Sequence, residues 1–179
     1  GSEYRGNYGL TKQQLKDFHR ERLEVLIATN PDLLAVETIP ELTEAEAIIE
    51  LISEIKPSMP FWISFSCKSE SDLCSGEKFS DAVSLVNASS SAIAVGINCT
   101  KPGFIERLLK SASSKLPFVI YPNSGREWNA DAKKWLGPIS ASFEIKDIHA
   151  WKSLGATIIG GCCGVSPSDI SEISTVING

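Results

Sequence analysis

The chain has 179 residues, 42% of them hydrophobic and 22% charged, with a formal net charge of −5. This is the composition of one globular domain, or a large piece of one, and the scatter of basic among acidic residues excludes the electrostatic footprint of a nucleic-acid binder. No apolar run approaches the roughly 20 residues of a membrane span, the start lacks the order of a signal peptide, and five cysteines cannot all pair, so we expect a cytoplasmic protein whose cysteines are thiols or metal ligands.

Residues 11–30 read as a helix: Leu15, Phe18, Leu23, Leu26 and Ile27 recur near the helical period, Thr11 and Gln14 have the spacing of a capping box, and Asn30-Pro31 stops it. An apolar strand over 33–39 is interrupted by Glu37. A helix over 43–55 then places Ala45, Ile48, Ile49 and Ile52 on one face. Residues 61–66 repeat the strand, 67–76 form a polar loop, and Ala82, Val83, Leu85 and Val86 mark a short helix. A further strand over 92–98 precedes a helix after Pro102 that carries Phe104, Ile105, Leu108 and Leu109, and 116–121 returns to strand. A longer polar loop follows, with turn chemistry at Tyr121-Pro122-Asn123-Ser124-Gly125. A helix near 143–154 turns Ile145, Ile148 and Trp151 toward a core and ends at Gly155. The last strand is 157–160, and Ser166-Pro167-Ser168-Asp169 opens the last helix with a serine cap and proline in the first turn.

Five strands alternating with helices, each too apolar to be wet on one face, predict an α/β fold with a helix-covered parallel sheet, either a barrel or a doubly wound sheet. Ligands in both folds sit at the carboxyl ends of the strands. Glu37, Ser66, Cys99, Tyr121, Asn123, Cys162 and Cys163 all fall at such ends.

Cys99, Cys162 and Cys163 are three soft donors, a set that suits zinc with one position left for a substrate. Gly160, Gly161 and Gly164 would supply positive φ angles or close approaches that let neighbouring thiols face one metal. Cys99 taken alone reads equally well as a small buried hydrophobe, whereas adjacent residues of a regular strand point to opposite faces, so Cys162 and Cys163 could not both serve one core. Cys67 and Cys74 have no partner at ligand spacing and are bystanders. Glu37 either receives a substrate ammonium group or pairs with Lys or Arg at the rim. Tyr121 and Trp128 could offer π faces to a cationic donor, or be core. His19 and His149 lie on predicted helices away from strand ends and are not expected ligands. No glycine-rich phosphate loop, Gly-x-Ser-x-Gly elbow or His-Glu-x-x-His segment occurs.

The segments Gly-Ile-Asn-Cys-Thr at 96–100, Tyr-Pro-Asn-Ser-Gly at 121–125 and Gly-Gly-Cys-Cys-Gly-Val-Ser-Pro at 160–167, in this order, resemble the homocysteine S-methyltransferase family, and within it the plant-type enzymes that use S-methylmethionine. The similarity runs over essentially the whole chain. It implies a (β/α)8 TIM-type barrel, zinc on Cys99, Cys162 and Cys163, and Glu37 on the homocysteine amino group. Ser66, Asn98, Tyr121 and Asn123 are the further expected substrate contacts. The implied reaction moves methyl from a sulfonium donor, S-methylmethionine or S-adenosylmethionine, to homocysteine and yields methionine. Alternatives are selenocysteine as acceptor, a zinc-binding fragment impaired in catalysis, and an unrelated α/β protein whose cysteines are core or redox groups.

A barrel of this kind needs about 250 residues, and residues 1–9 resemble the family's loop after its third strand. We therefore expect residues 1–179 to be the C-terminal part of a single barrel domain, about five of its eight βα units. With two unpaired sheet edges, such a piece is expected to be a half-open barrel with little or no activity by itself.

Overall fold

The computed structural model describes residues 4–125, 127–129, 133–137 and 144–178, with backbone alone at 127–129, 134 and 135. Helix α1 (Lys12–Ala28) starts where Thr11 accepts from the Gln14 amide while the Gln14 side chain accepts from the Thr11 amide, the expected capping box. It leads to β1 (Leu34–Ile39), α2 (Leu42–Ile55), β2 (Phe61–Phe65), α3 (Phe79–Asn87), β3 (Ala92–Asn98), α4 (Pro102–Ser111) and β4 (Phe118–Tyr121). A short antiparallel hairpin, β5 (Glu127–Asn129) and β6 (Lys134–Leu136), stands where the sequence reads as polar loop. The chain ends with α5 (Ile145–Ser153), β7 (Ala156–Ile159) and α6 (Pro167–Asn178).

The five long-range strands form one sheet in the order β1-β2-β3-β4-β7, every neighbouring pair parallel. Each successive strand is reached through a helix, which is the construction of a (β/α)8 barrel carried through part of its circumference. Phe61, Ile63 and Phe65 of β2, Val95 and Ile97 of β3, and Phe118 and Ile120 of β4 pack with the helices in one buried cluster. Strand alternation then turns Trp62, Ser64, Gly96, Asn98, Val119 and Tyr121 to the opposite, interior face. Gly96 and Val119 are register partners there, and a Cβ on Gly96 would lie 2.6 Å from the Val119 carbonyl carbon and closer still to its oxygen.

Because β1 is an edge, part of the predicted core of α1 has nothing to cover it. Leu15, Leu23 and Ile27 are buried as expected, but Phe18 is 68% exposed and lines a cleft of about 400 Å³ between α1 and β1, together with Leu26 and Arg22. Unpaired amides and carbonyls along an edge strand are a template for further pairing. Ile145 is also exposed, against expectation, because α5 docks through Ile148 and Trp151. Residue 143, placed at the start of that helix from the sequence, lies outside the described residues. Among those residues no helix is long and apolar enough to cross a membrane.

A charged seam joins α1 to α2. Lys16 contacts Glu50 and Glu54, Lys12 contacts Glu50, and Arg20 donates to Glu54 at 2.9 Å. Hydrogen bonds from Lys12 to Glu50 and from Lys16 to Glu54 hold both carboxyl groups below the ordinary 4.5. A depressed folded-state pKa stabilises the fold above the ordinary value and loses that contribution as pH falls through the depressed one. Thermal unfolding followed from pH 7 downward is therefore expected to show a drop in Tm that begins below about pH 4.5, and 1 M salt should shrink it because every member of the seam except the buried Lys16 is open to solvent.

Candidate metal centre

The cysteine segments are held together by the turn after β4. Cys99, at φ +45, follows β3, and its amide donates to the Tyr121 carbonyl at 3.2 Å. The Asn123 amide donates to the Thr100 carbonyl at 3.1 Å, and its Nδ2 to the Cys99 carbonyl at 3.4 Å. On the other side the Cys162 amide donates to the Pro122 carbonyl at 2.8 Å, and the Ser124 amide to the Cys163 carbonyl at 2.9 Å. Residues 121–124 thus act as a splint between two segments more than 60 residues apart in sequence. Asn123 also accepts from the Gly125 amide at 2.8 Å, so the side chain expected to touch substrate is committed to this turn.

The splint brings Cys99, Cys162 and Cys163 together, with all three sulfurs within 4.8 Å of one another. Cys163 Sγ lies 3.6 Å from that of Cys99 and 3.9 Å from that of Cys162. Cys99 and Cys162 are joined as a disulfide, with Cα atoms 5.5 Å apart. The expectation that these two would be thiols is corrected, for the same physical reason that made them ligand candidates: side chains converging at this spacing can share either a metal ion or a bond. Reduction of that bond leaves three thiols able to hold a soft cation.

The glycines divide their expected labour differently. Gly164 has φ +79 and Gly161 lacks room for a side chain, since a Cβ would be 2.5 Å from Val165 Cβ, but Gly160 meets neither constraint. Two residues at the rim escaped the sequence reading. The Tyr4 hydroxyl lies 3.8 Å from Cys163 Sγ, and the buried Ser124 hydroxyl has no hydrogen-bond partner among the described residues. Only the position of Ser124 within the turn motif could have signalled the second, and nothing signalled the first.

Glu37 is exposed at the end of β1, and among the described residues neither Lys nor Arg pairs with it. Its neighbour is Tyr121, whose hydroxyl meets Ser64 Oγ and accepts from Trp62 Nε1 at 3.4 Å. Burial pushes that hydroxyl well above the ordinary tyrosine range, and the charge of Glu37 and a hydrogen bond to it push the same way, so Tyr121 remains a neutral donor. Ser66 and Asn98 are each 1% exposed. Ser66 bonds to the Cys74 thiol, and Asn98 to Thr38. Both therefore stand behind the rim. Burial raises the thiol pKa values of Cys67 and Cys74, which keeps them protonated at neutral pH and apart from the trio. His19 is buried against Glu44 at 2.9 Å, a bond between α1 and α2. The Trp128 side chain lies outside the described residues.

A sequence profile described as homocysteine S-methyltransferase matches residues 1–177. The chain belongs to the homocysteine S-methyltransferase family. It is 44% identical over 185 aligned positions to Homocysteine S-methyltransferase 1 of Zea mays, covering 100% of this chain and 57% of that protein. It is 42% identical over 178 positions to Homocysteine S-methyltransferase YbgG of Bacillus subtilis, covering 97% and 56%. The Escherichia coli homocysteine methyltransferase MmuM superposes in its metallated form with a TM-score of 0.80 at 32% identity, covering 98% of this chain and 55% of MmuM. Its oxidized form gives 0.81 at 33% identity, covering 98% and 56%. The chain thus spans a little over half the length of these members of the homocysteine S-methyltransferase family.

Proposed function

We propose that this chain carries the metal-binding part of a zinc-dependent methyltransferase that moves a methyl group from a sulfonium donor, S-methylmethionine first among them, to homocysteine. The observation that carries the reading is the meeting of Cys99, Cys162 and Cys163 within 4.8 Å. Two sulfurs on one tetrahedral zinc at about 2.3 Å each would be about 3.8 Å apart, and the two unbonded pairs of the trio stand at 3.6 and 3.9 Å. The donor set fits the ion, as do two of its three spacings; the third pair, Cys99 and Cys162, must be reduced before it can.

Bound zinc would lower the acceptor thiol's pKa from about 8.5 while leaving it a lone pair for attack. The other tasks fall to the chain. Cys99, Cys162 and Cys163 supply the thiolates, and the 121–124 splint fixes their separation. Glu37 receives the acceptor's ammonium group, with the neutral Tyr121 hydroxyl steadying the carboxylate. The new S–CH3 bond forms on homocysteine as the donor's S–CH3 bond breaks. The bonding pair remains on the donor sulfur, which becomes a neutral thioether, and the acceptor's thiol proton passes to solvent. With S-methylmethionine both products are methionine. In-line approach is set by holding both reactants at one strand-end mouth. A reducing cytoplasm suits three free thiols.

The test is metal analysis of reduced protein with and without homocysteine, paired with methyl transfer from S-methylmethionine and S-adenosylmethionine and with selenocysteine run as a competing acceptor. About one zinc per chain is expected after reduction, and well under a tenth while Cys99 and Cys162 remain bonded to each other. Reduced protein that takes up no stoichiometric zinc would overturn the proposal.

A further inference from the structure

At its carboxyl end β1 departs from a regular ladder. Val36 pairs with Ile63 and Ile39 with Phe65, so an advance of three residues on β1 matches two on β2, and the extra residue is taken up at Glu37-Thr38. Thr38 sits at φ +60, a left-handed conformation that a β-branched residue rarely adopts. The consequence is a change of parity. Leu34 and Val36 pack toward the helices, and unbroken alternation would turn Ile39 away from them. Instead Ile39 is buried in the helix-side core, while Glu37 is left on the interior face beside Tyr121.

The bulge is fastened from two strands away. Asn98, at the end of β3, accepts from the Thr38 amide at 2.9 Å through Oδ1 and donates through Nδ2 to Thr38 Oγ1 at 2.7 Å. Asn98 is almost wholly buried and Thr38 half-buried, so these bonds are largely shielded from water, where losing them is costly. The next residue along the chain is Cys99.

We propose that Asn98 is a positioning residue that, through Thr38, aims Glu37 at the acceptor's ammonium group. This rests on the methyl-transfer reading above. Because Asn98 is bonded to the segment bearing Glu37 and adjoins Cys99, it sets the span between the ammonium end and the sulfur end of the acceptor site. That span selects an amino thiol of one length.

The test uses the full-length, zinc-loaded protein with Asn98→Leu and with Asn98→Leu combined with Thr38→Gly. The single variant should raise KM for homocysteine about tenfold or more while kcat moves less than about threefold. KM for 4-sulfanylbutanoate, which keeps the thiol and carboxylate but has no amine, should stay put, as should zinc content. Glycine adopts φ +60 without help, so the double variant should recover most of the loss. Hydrogen exchange at the Thr38 amide, measured without substrate, should speed up about a hundredfold in Asn98→Leu. Equal KM increases for both acceptors, absence of rescue, or unchanged exchange at Thr38 would each overturn the proposal. A wild-type protein inert toward homocysteine, with exchange at Thr38 responding as expected, would sink the methyl-transfer reading and leave the clamp itself standing. Should leucine prevent folding, Asn98→Ala carries the same expectations.

Discussion

Cys163→Ser is expected to remove metal binding and, with it, the methyl transfer proposed above, while leaving the fold in place. Cys163 is the member of the trio outside the disulfide, and its sulfur is within 4 Å of both others. A serine hydroxyl is a hard donor that does not ionise near neutral pH, so the variant keeps two thiolates where three are needed. Zinc content in reduced protein should fall from about one equivalent to less than about a tenth, and turnover by about a thousandfold or more. Cys163 is only partly buried and the substitution is nearly isosteric, so stability should change by less than about 1 kcal/mol. Metal analysis, a methyl-transfer assay and thermal unfolding of the same preparation separate these effects. Full zinc retention in the variant would show that the three sulfurs are not a ligand set.

Gly96→Ala should have the largest effect on the fold. The added Cβ would lie 2.6 Å from the carbonyl carbon and 2.7 Å from Cγ1 of Val119, and closer still to the carbonyl oxygen. Backbone on a paired, buried strand cannot swing aside as a long side chain can, so β3 and β4 must separate. The cost is about 3 kcal/mol or more, a large share of the 5–15 kcal/mol that holds a typical domain together. The same two strands carry Cys99 and the 121–124 splint, so metal binding should weaken with the fold. Gly103 is the control. It lies in α4, where an added Cβ would meet nothing within 4 Å, and Gly103→Ala should be neutral or stabilising by up to about 1 kcal/mol. Denaturant midpoints that coincide for the two variants would contradict this packing of β3 on β4.

The strands and helices were readable from periodicity because a parallel βα unit writes both of its periods into neighbouring residues. The thiol motifs were readable because each is a short contiguous block at a strand end. Phe18 misled because its spacing fits a buried face, yet whether that face is covered depends on a neighbour that β1 lacks on its outer side. The hairpin of β5 and β6 is three residues a side, too short for alternation to register. Asn98 and Asn123 are expected from the sequence as substrate contacts. No local signal could reveal that their amides are committed to Thr38 and to the turn carrying Cys99.

By itself, then, the sequence determined an alternating α/β chain with three soft donors and one carboxylate at strand ends, since propensity, period and motif are properties of adjacent residues. Only the tertiary structure decided which sulfurs meet, that two of them can bond to each other, and how a bulge after Glu37 returns Ile39 to the helix-side core while Glu37 stays on the interior face. Those outcomes depend on contacts between groups about 60 residues apart, such as Asn98 with Thr38 and Cys99 with Cys163, and such contacts exist only once the strands have taken their register.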